Sequence, residues 1–190
     1  MGKNRLEAFS DGVLAIIITV MLLEMKVPHG TQLADLLPLY PVFLSYVLSF
    51  TYIGVYWNNH HHLLHAARDI EGSVLWRNHF LLFWLSLVPL ASAWMGENRL
   101  APVPTAVYGA VLLMCAVAYH ALVRSLEEHH GPKSLLTRAL GPDTKGRVSI
   151  VLYACGIVLS LWQAWLGFAI YIGIALWWFV PDKRVEKALR

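Results

Sequence analysis

Histidine is the residue type with the most chemistry to offer in this chain, and it is clustered. Residues 58–65 read NNHHHLLH. His61 and His65 are four apart, so on a helix they share a face, the arrangement that metal-binding helices use. A second pair, His129 and His130, falls in a polar stretch read as a loop. Membrane metal oxidases need several such histidine boxes with carboxylates to complete the centre. This chain has one box and few carboxylates inside its apolar segments. The competing readings are a structural interfacial cluster of hydrogen-bonding histidines around Asp11 and Arg5 and, second to it, a proton relay. The shortage of ligands favours the cluster, and neither a metal site nor a cofactor is expected.

The elements that must position these residues follow from composition. The 190 residues are 57% hydrophobic and only 14% charged, whereas soluble domains carry about 25% charge. So few charges cannot cover a soluble surface, which points to an all-α, polytopic membrane protein. The net charge of +3 gives no reason to expect a nucleic-acid partner. Cys115 and Cys155 lie in apolar runs, where a thiol acts as a small hydrophobe, and no zinc or disulfide spacing exists. No cleavable signal is expected, because no small-residue cleavage site follows the first apolar run.

A spanning helix needs roughly 20 apolar residues. Spans are predicted near 6–26, 38–66, 74–96, 102–126, 147–163 and 165–181, with a polar loop at 127–146, all in one domain covering 1–190. Gly167 and the WQAW segment divide the last two. Pro28, Pro38, Pro102, Pro104 and Pro181 sit at span ends, where proline costs least. Trp57, Trp76, Trp94, Trp162, Trp165, Trp177 and Trp178 gather there as well. Lys3, Arg5, Arg68, Arg77, Arg124, Lys133, Arg138, Lys145, Arg147, Lys183, Arg184, Lys187 and Arg190 fall on one side, against Lys26 and Arg99 on the other. This bias places both termini in the cytoplasm.

Ionisable groups inside a span are costly and therefore informative. Asp11 is about six residues into the first span, roughly 9 Å along its axis. At that depth the topology also brings Arg5, Ser10, the Trp57–His65 run, Arg77, Asn78 and His79. At 100° per residue, Gly12, Ile16, Thr19, Val20 and Leu23 form one stripe. Asp11 points away from it, and Met21, also off it, is expected to face lipid. Thr19 is expected to return its hydroxyl to the carbonyl of Ala15 or of the residue just before it.

R-x-x-x-F-S-D, at Arg5, Phe9, Ser10 and Asp11, runs on into GVLAIIITVMLL with an A-I-x-x-T element at Ala15, Ile16 and Thr19. This resembles the first span of the transmembrane protein 175 family, potassium-permeable channels of animal endolysosomes and of bacterial and archaeal plasma membranes. The animal proteins carry two six-span repeats. This chain carries one, as does the prokaryotic form, which assembles four subunits around the pore. The resemblance implies that the first span lines that pore. Ile16 then forms the narrowest ring, Val20 and Leu23 form further rings, and Thr19 lies beside the constriction. It assigns Arg5, Phe9, Ser10 and Asp11 to a polar network that holds the helices at the cytoplasmic side. Depth nominates Trp57, Asn58, His61 and His79 as its partners.

The expected function is therefore a homotetrameric channel for potassium, rubidium and caesium in a lipid bilayer. No T-V-G-Y-G filter is present. An apolar constriction gives no substitute for lost hydration and so discriminates by dehydration cost, modestly favouring potassium over sodium, and it can close by dewetting. The alternatives are a histidine-box membrane enzyme and a small secondary transporter. The second finds little support, since neither an inverted repeat nor a broken central helix is visible.

Overall fold

The computed structural model describes residues 2–67, 69–131, 134 and 143–179. They form seven α-helices and a short 3-10 helix, with no strand among the described residues. Helix α1 (Lys3–Leu23) leads through the 3-10 helix (Leu33–Leu39) into α2 (Tyr40–Ala66). Helices α3 (Gly72–Ser86) and α4 (Val88–Glu97) follow as one interrupted rod, then α5 (Pro102–His130), α6 (Thr144–Trp162) and α7 (Ala164–Phe179). Five segments are long and apolar enough to cross a membrane: α1, α2 with its 3-10 lead, α3 with α4, α5 and α6. At sixteen residues α7 is apolar but shorter. The chain is a multi-pass, all-helical membrane protein.

Proline sets two of the boundaries. Pro41 takes the second position of α2, where its missing N–H costs nothing. Pro89 has no N–H to offer the carbonyl of Leu85, and its ring crowds that carbonyl. The rod accordingly breaks at Leu87, so the stretch expected as one span over 74–96 is two helices. Helix α5 runs on to His130, past the expected loop start at 127, and stops where Gly131 takes φ 80°. His129 and His130 are thus the last helical residues rather than loop residues. The break between α6 and α7 is Gln163 alone, extended at φ −147°. Gly167, expected to help divide these spans, lies inside α7, where a Cβ would run into Ser160 and the Gly156 backbone. It permits close helix packing instead.

The core draws on α1 to α5 and α7, with α6 closing against α5 and α7. The buried serine and tyrosine hydroxyls at its centre are paired, as burial favours. Ser49 donates to Ser92 and bonds the Tyr108 hydroxyl, both at 2.9 Å, and the Tyr52 hydroxyl donates to the Tyr171 carbonyl at 2.6 Å. Helix α1 packs on α2, α3 and α4, leaving one long face uncovered by the chain.

Candidate functional site

The two faces of α1 are sharply different. Leu6, Ser10, Leu14, Ile17 and Met21 are buried against the rest of the chain, at three- and four-residue spacing. On the uncovered side stand Gly12, Thr19 and the large apolar side chains Ile16, Val20 and Leu23, the last three 63%, 36% and 82% exposed. The stripe drawn from periodicity lies within the uncovered surface, which also takes in Ala15, Leu22 and, nearer the start of the helix, Phe9 and Asp11. Met21 is not on a lipid face: at 4% exposure it belongs to the core. It lies four residues after Ile17 and seven after Leu14, so it shares their inward side. The Thr19 hydroxyl donates to the Ile16 carbonyl at 2.8 Å, one residue nearer than expected. A threonine rotamer serves either the third or the fourth carbonyl back.

Three consecutive residues fasten α1 to its neighbours. Phe9 stacks on His79 of α3 with ring centroids 5.6 Å apart. Ser10, fully buried, accepts from Asn78 Nδ2 at 3.0 Å. Asn78 Oδ1 can only accept, so His60 Nε2, 2.7 Å away, is its donor. Asp11 Oδ1 accepts from the Trp57 indole of α2 at 3.0 Å. Successive helical residues point about 100° apart, so F-S-D reaches two helices from one turn. Lys3 adds a fourth tie, its ammonium donating to the carbonyls of His65 and Ala67 at the end of α2. Beyond the other end of α1, Lys26 pairs with Glu97 at 2.7 Å. The carboxylate's hydrogen bond and charge raise the Lys26 pKa.

The expected residues do not all join this network. Asn58 is exposed, and neither its side chain nor that of Arg5 hydrogen-bonds among the described residues. His61 is exposed and stacks between Trp57 and His65 at 6.2 and 5.9 Å. The buried members are instead His60 and Asn78. Their signal lay in the pattern: His60 precedes Leu63 and Leu64 by three and four residues, and Asn78 repeats in step with Val74, Leu81, Leu82 and Leu85. Polar residues in phase with an apolar face are the buried ones. Glu7 was also missed; its Oε1 is buried without a hydrogen-bond partner among the described residues.

Comparison with known proteins bears on this arrangement. The family model of the endosomal/lysosomal potassium channel TMEM175 matches residues 5–89, the stretch that holds F-S-D, His60, Asn78 and all of α1 but its first two residues. A potassium channel from Chryseobacterium sp. (strain P1-3) is 48% identical over 190 residues, covering 100% of this chain and 99% of its own. This chain belongs to the TMEM175 family. A potassium channel from Streptomyces collinus is 36% identical over 128 residues, 63% of this chain and 62% of its own. The crystal structure of a lysosomal potassium-selective channel TMEM175 homolog from Chamaesiphon minutus superposes with a TM-score of 0.81 at 29% identity, covering 94% of this chain and 96% of that one. The TMEM175 resemblance read from R-x-x-x-F-S-D therefore extends in structure over 94% of the chain, well beyond the residues that carry the motif.

Proposed function

We propose that this chain is the subunit of a potassium-permeable channel, a homotetramer whose four α1 helices line the path. The observation that carries the proposal is the uncovered α1 stripe. Ile16, Val20 and Leu23 extend over about 10 Å along a helix whose opposite side is locked into the protein. One chain offers one such face, and a single helix encloses nothing. Cyclic repetition of one surface is the common way to close a ring. The chain's similarity to potassium channels of Chryseobacterium and Streptomyces collinus supports potassium as the permeant ion.

In this reading Ile16 forms the narrowest ring, with Val20 and Leu23 as further apolar rings and Thr19 beside the first. The Thr19 hydroxyl, already bonded to a helix carbonyl, keeps its lone pairs for water or an ion. The apolar wall sets the barrier by dehydration, so rubidium and caesium pass with potassium and sodium passes less well. The F-S-D turn, with Asn78, His60 and Trp57, holds each wall helix from behind. The whole chain is one six-span domain of a bacterial or archaeal plasma membrane, with its termini in the cytoplasm, and it performs no catalysis.

Purified protein in liposomes, assayed for potassium and sodium flux, with its subunits counted by native mass measurement, tests this directly. Four subunits and faster potassium flux are expected. A conducting monomer or dimer would refute the assembly, and absence of cation flux from assembled tetramers would refute the function.

A further inference from the structure

Away from α1, the end of α5 meets the connection between α2 and α3. His129 Nε2 lies 3.2 Å and His130 Nε2 3.4 Å from the same oxygen, Asp69 Oδ1. One ligand atom from each of the three residues lies within 4.8 Å of the other two. The remaining ring nitrogens are engaged. His129 Nδ1 faces Glu71 Oε2 at 3.0 Å, and His130 Nδ1 faces the Leu126 carbonyl at 3.0 Å. A carboxylate and a carbonyl only accept, so both Nδ1 atoms carry protons. The two Nε2 atoms turn toward Asp69, whose carboxylate also only accepts; a metal ion bound there would displace the Nε2 protons and take the lone pairs of both rings.

We propose that Asp69, His129 and His130 bind a divalent transition metal of the zinc class. Zinc takes histidine nitrogen and carboxylate oxygen at about 2.0–2.1 Å in a tetrahedron, whose edges are then about 3.3 Å. The two nitrogen–oxygen separations already have that length. Metal-bound histidines commonly give their other N–H to a carboxylate or backbone carbonyl, which fixes tautomer and ring direction, and both partners are present. Two imidazoles and one carboxylate suit zinc, cobalt or nickel rather than the all-oxygen preference of magnesium or calcium. Among the described residues these three supply ligands, one short of the zinc tetrahedron. Access is open, since Asp69 is 74% exposed, while His130 is held at 8%. Gly131, by ending α5, sets both rings at the helix terminus. The spacing of sixty residues between Asp69 and His129 kept this set out of reach of motif reading. The site adjoins α1, because Lys3 holds the Ala67 carbonyl two residues before Asp69.

The test is zinc titration of the full-length protein in detergent, stripped with EDTA and desalted, with bound metal quantified by calorimetry and elemental analysis. One saturable zinc per chain is expected, undisturbed by excess magnesium. Asp69→Asn and His130→Ala should each weaken binding more than tenfold. Glu71→Gln, which touches no metal, should weaken it about 10- to 100-fold. The double variant His61→Ala with His65→Ala should bind as wild type. Asp69 is a surface residue, so Asp69→Asn keeps the fold and its elution volume. The proposal fails if wild type shows no saturable zinc, which would make the cluster a protonated ion pair only. It fails equally if Asp69→Asn binds normally, or if the His61/His65 variant loses the metal.

Discussion

Ser10 and Asp11 are neighbours in sequence but differ in what their loss should do. Asp11 is exposed and bonded to one indole, so its removal forfeits a charge-assisted bond at a screened site. Asn78 lies between Ser10 and His60, and its removal leaves two buried polar groups without partners, at about 1–3 kcal/mol each. Asn78→Ala should therefore lower the thermal midpoint of the solubilised protein well below that of Asp11→Ala. Equal midpoints in a fluorescence-detected melting series would mean that the buried chain adds nothing beyond the Trp57 bond. Depth along the spans was legible from topology, and it put Ser10, Asp11, Trp57, His60, Asn78 and His79 in one layer. Which of four near-adjacent histidines turns inward was not legible from residue type. It required the phase of Leu63 and Leu64 on the same helix. Met21 was misplaced for the converse reason, since an apolar side chain gives no sign whether lipid or protein covers it.

Helices were the most legible elements, because twenty apolar residues leave little choice in a bilayer. Their interruptions were less so. Pro89 is visible in the sequence, yet a proline inside a span either kinks or breaks it depending on neighbours that supply other partners. Gly167 looks like a divider and acts as a contact, since a helix interior hides what approaches it. The two glycines of α7 give a paired test. At Gly167 a Cβ meets the Gly156 carbonyl and the Ser160 side chain, while at Gly173 it meets nothing within 4 Å. Gly167→Ala should destabilise by about 1–3 kcal/mol through overpacking. Gly173→Ala should be neutral or stabilise by about 0.5–1 kcal/mol, the helix penalty of glycine removed. Thermal unfolding of both variants checks the pair, and a stable Gly167→Ala protein would show that α6 and α7 pack less closely than described.

At the scale of the whole molecule, α1 is fixed on one side and bare on the other, and the proposed channel depends on what covers the bare side. Four copies of Ile16 facing one axis make a ring without polar atoms, so an ion passing it gives up water and gains no ligand. The most direct measurement replaces Ile16 by Asn and compares potassium and sodium flux from liposomes with wild type. The control is Val158→Asn on α6, 67% exposed on a helix that packs against α5 and α7. Ile16→Asn should wet the ring, raise total flux and erode the preference for potassium, while assembled Val158→Asn channels conduct as wild type. Equal effects at the two positions, or unchanged selectivity in Ile16→Asn, would contradict the assignment of α1 as the wall of the ion path.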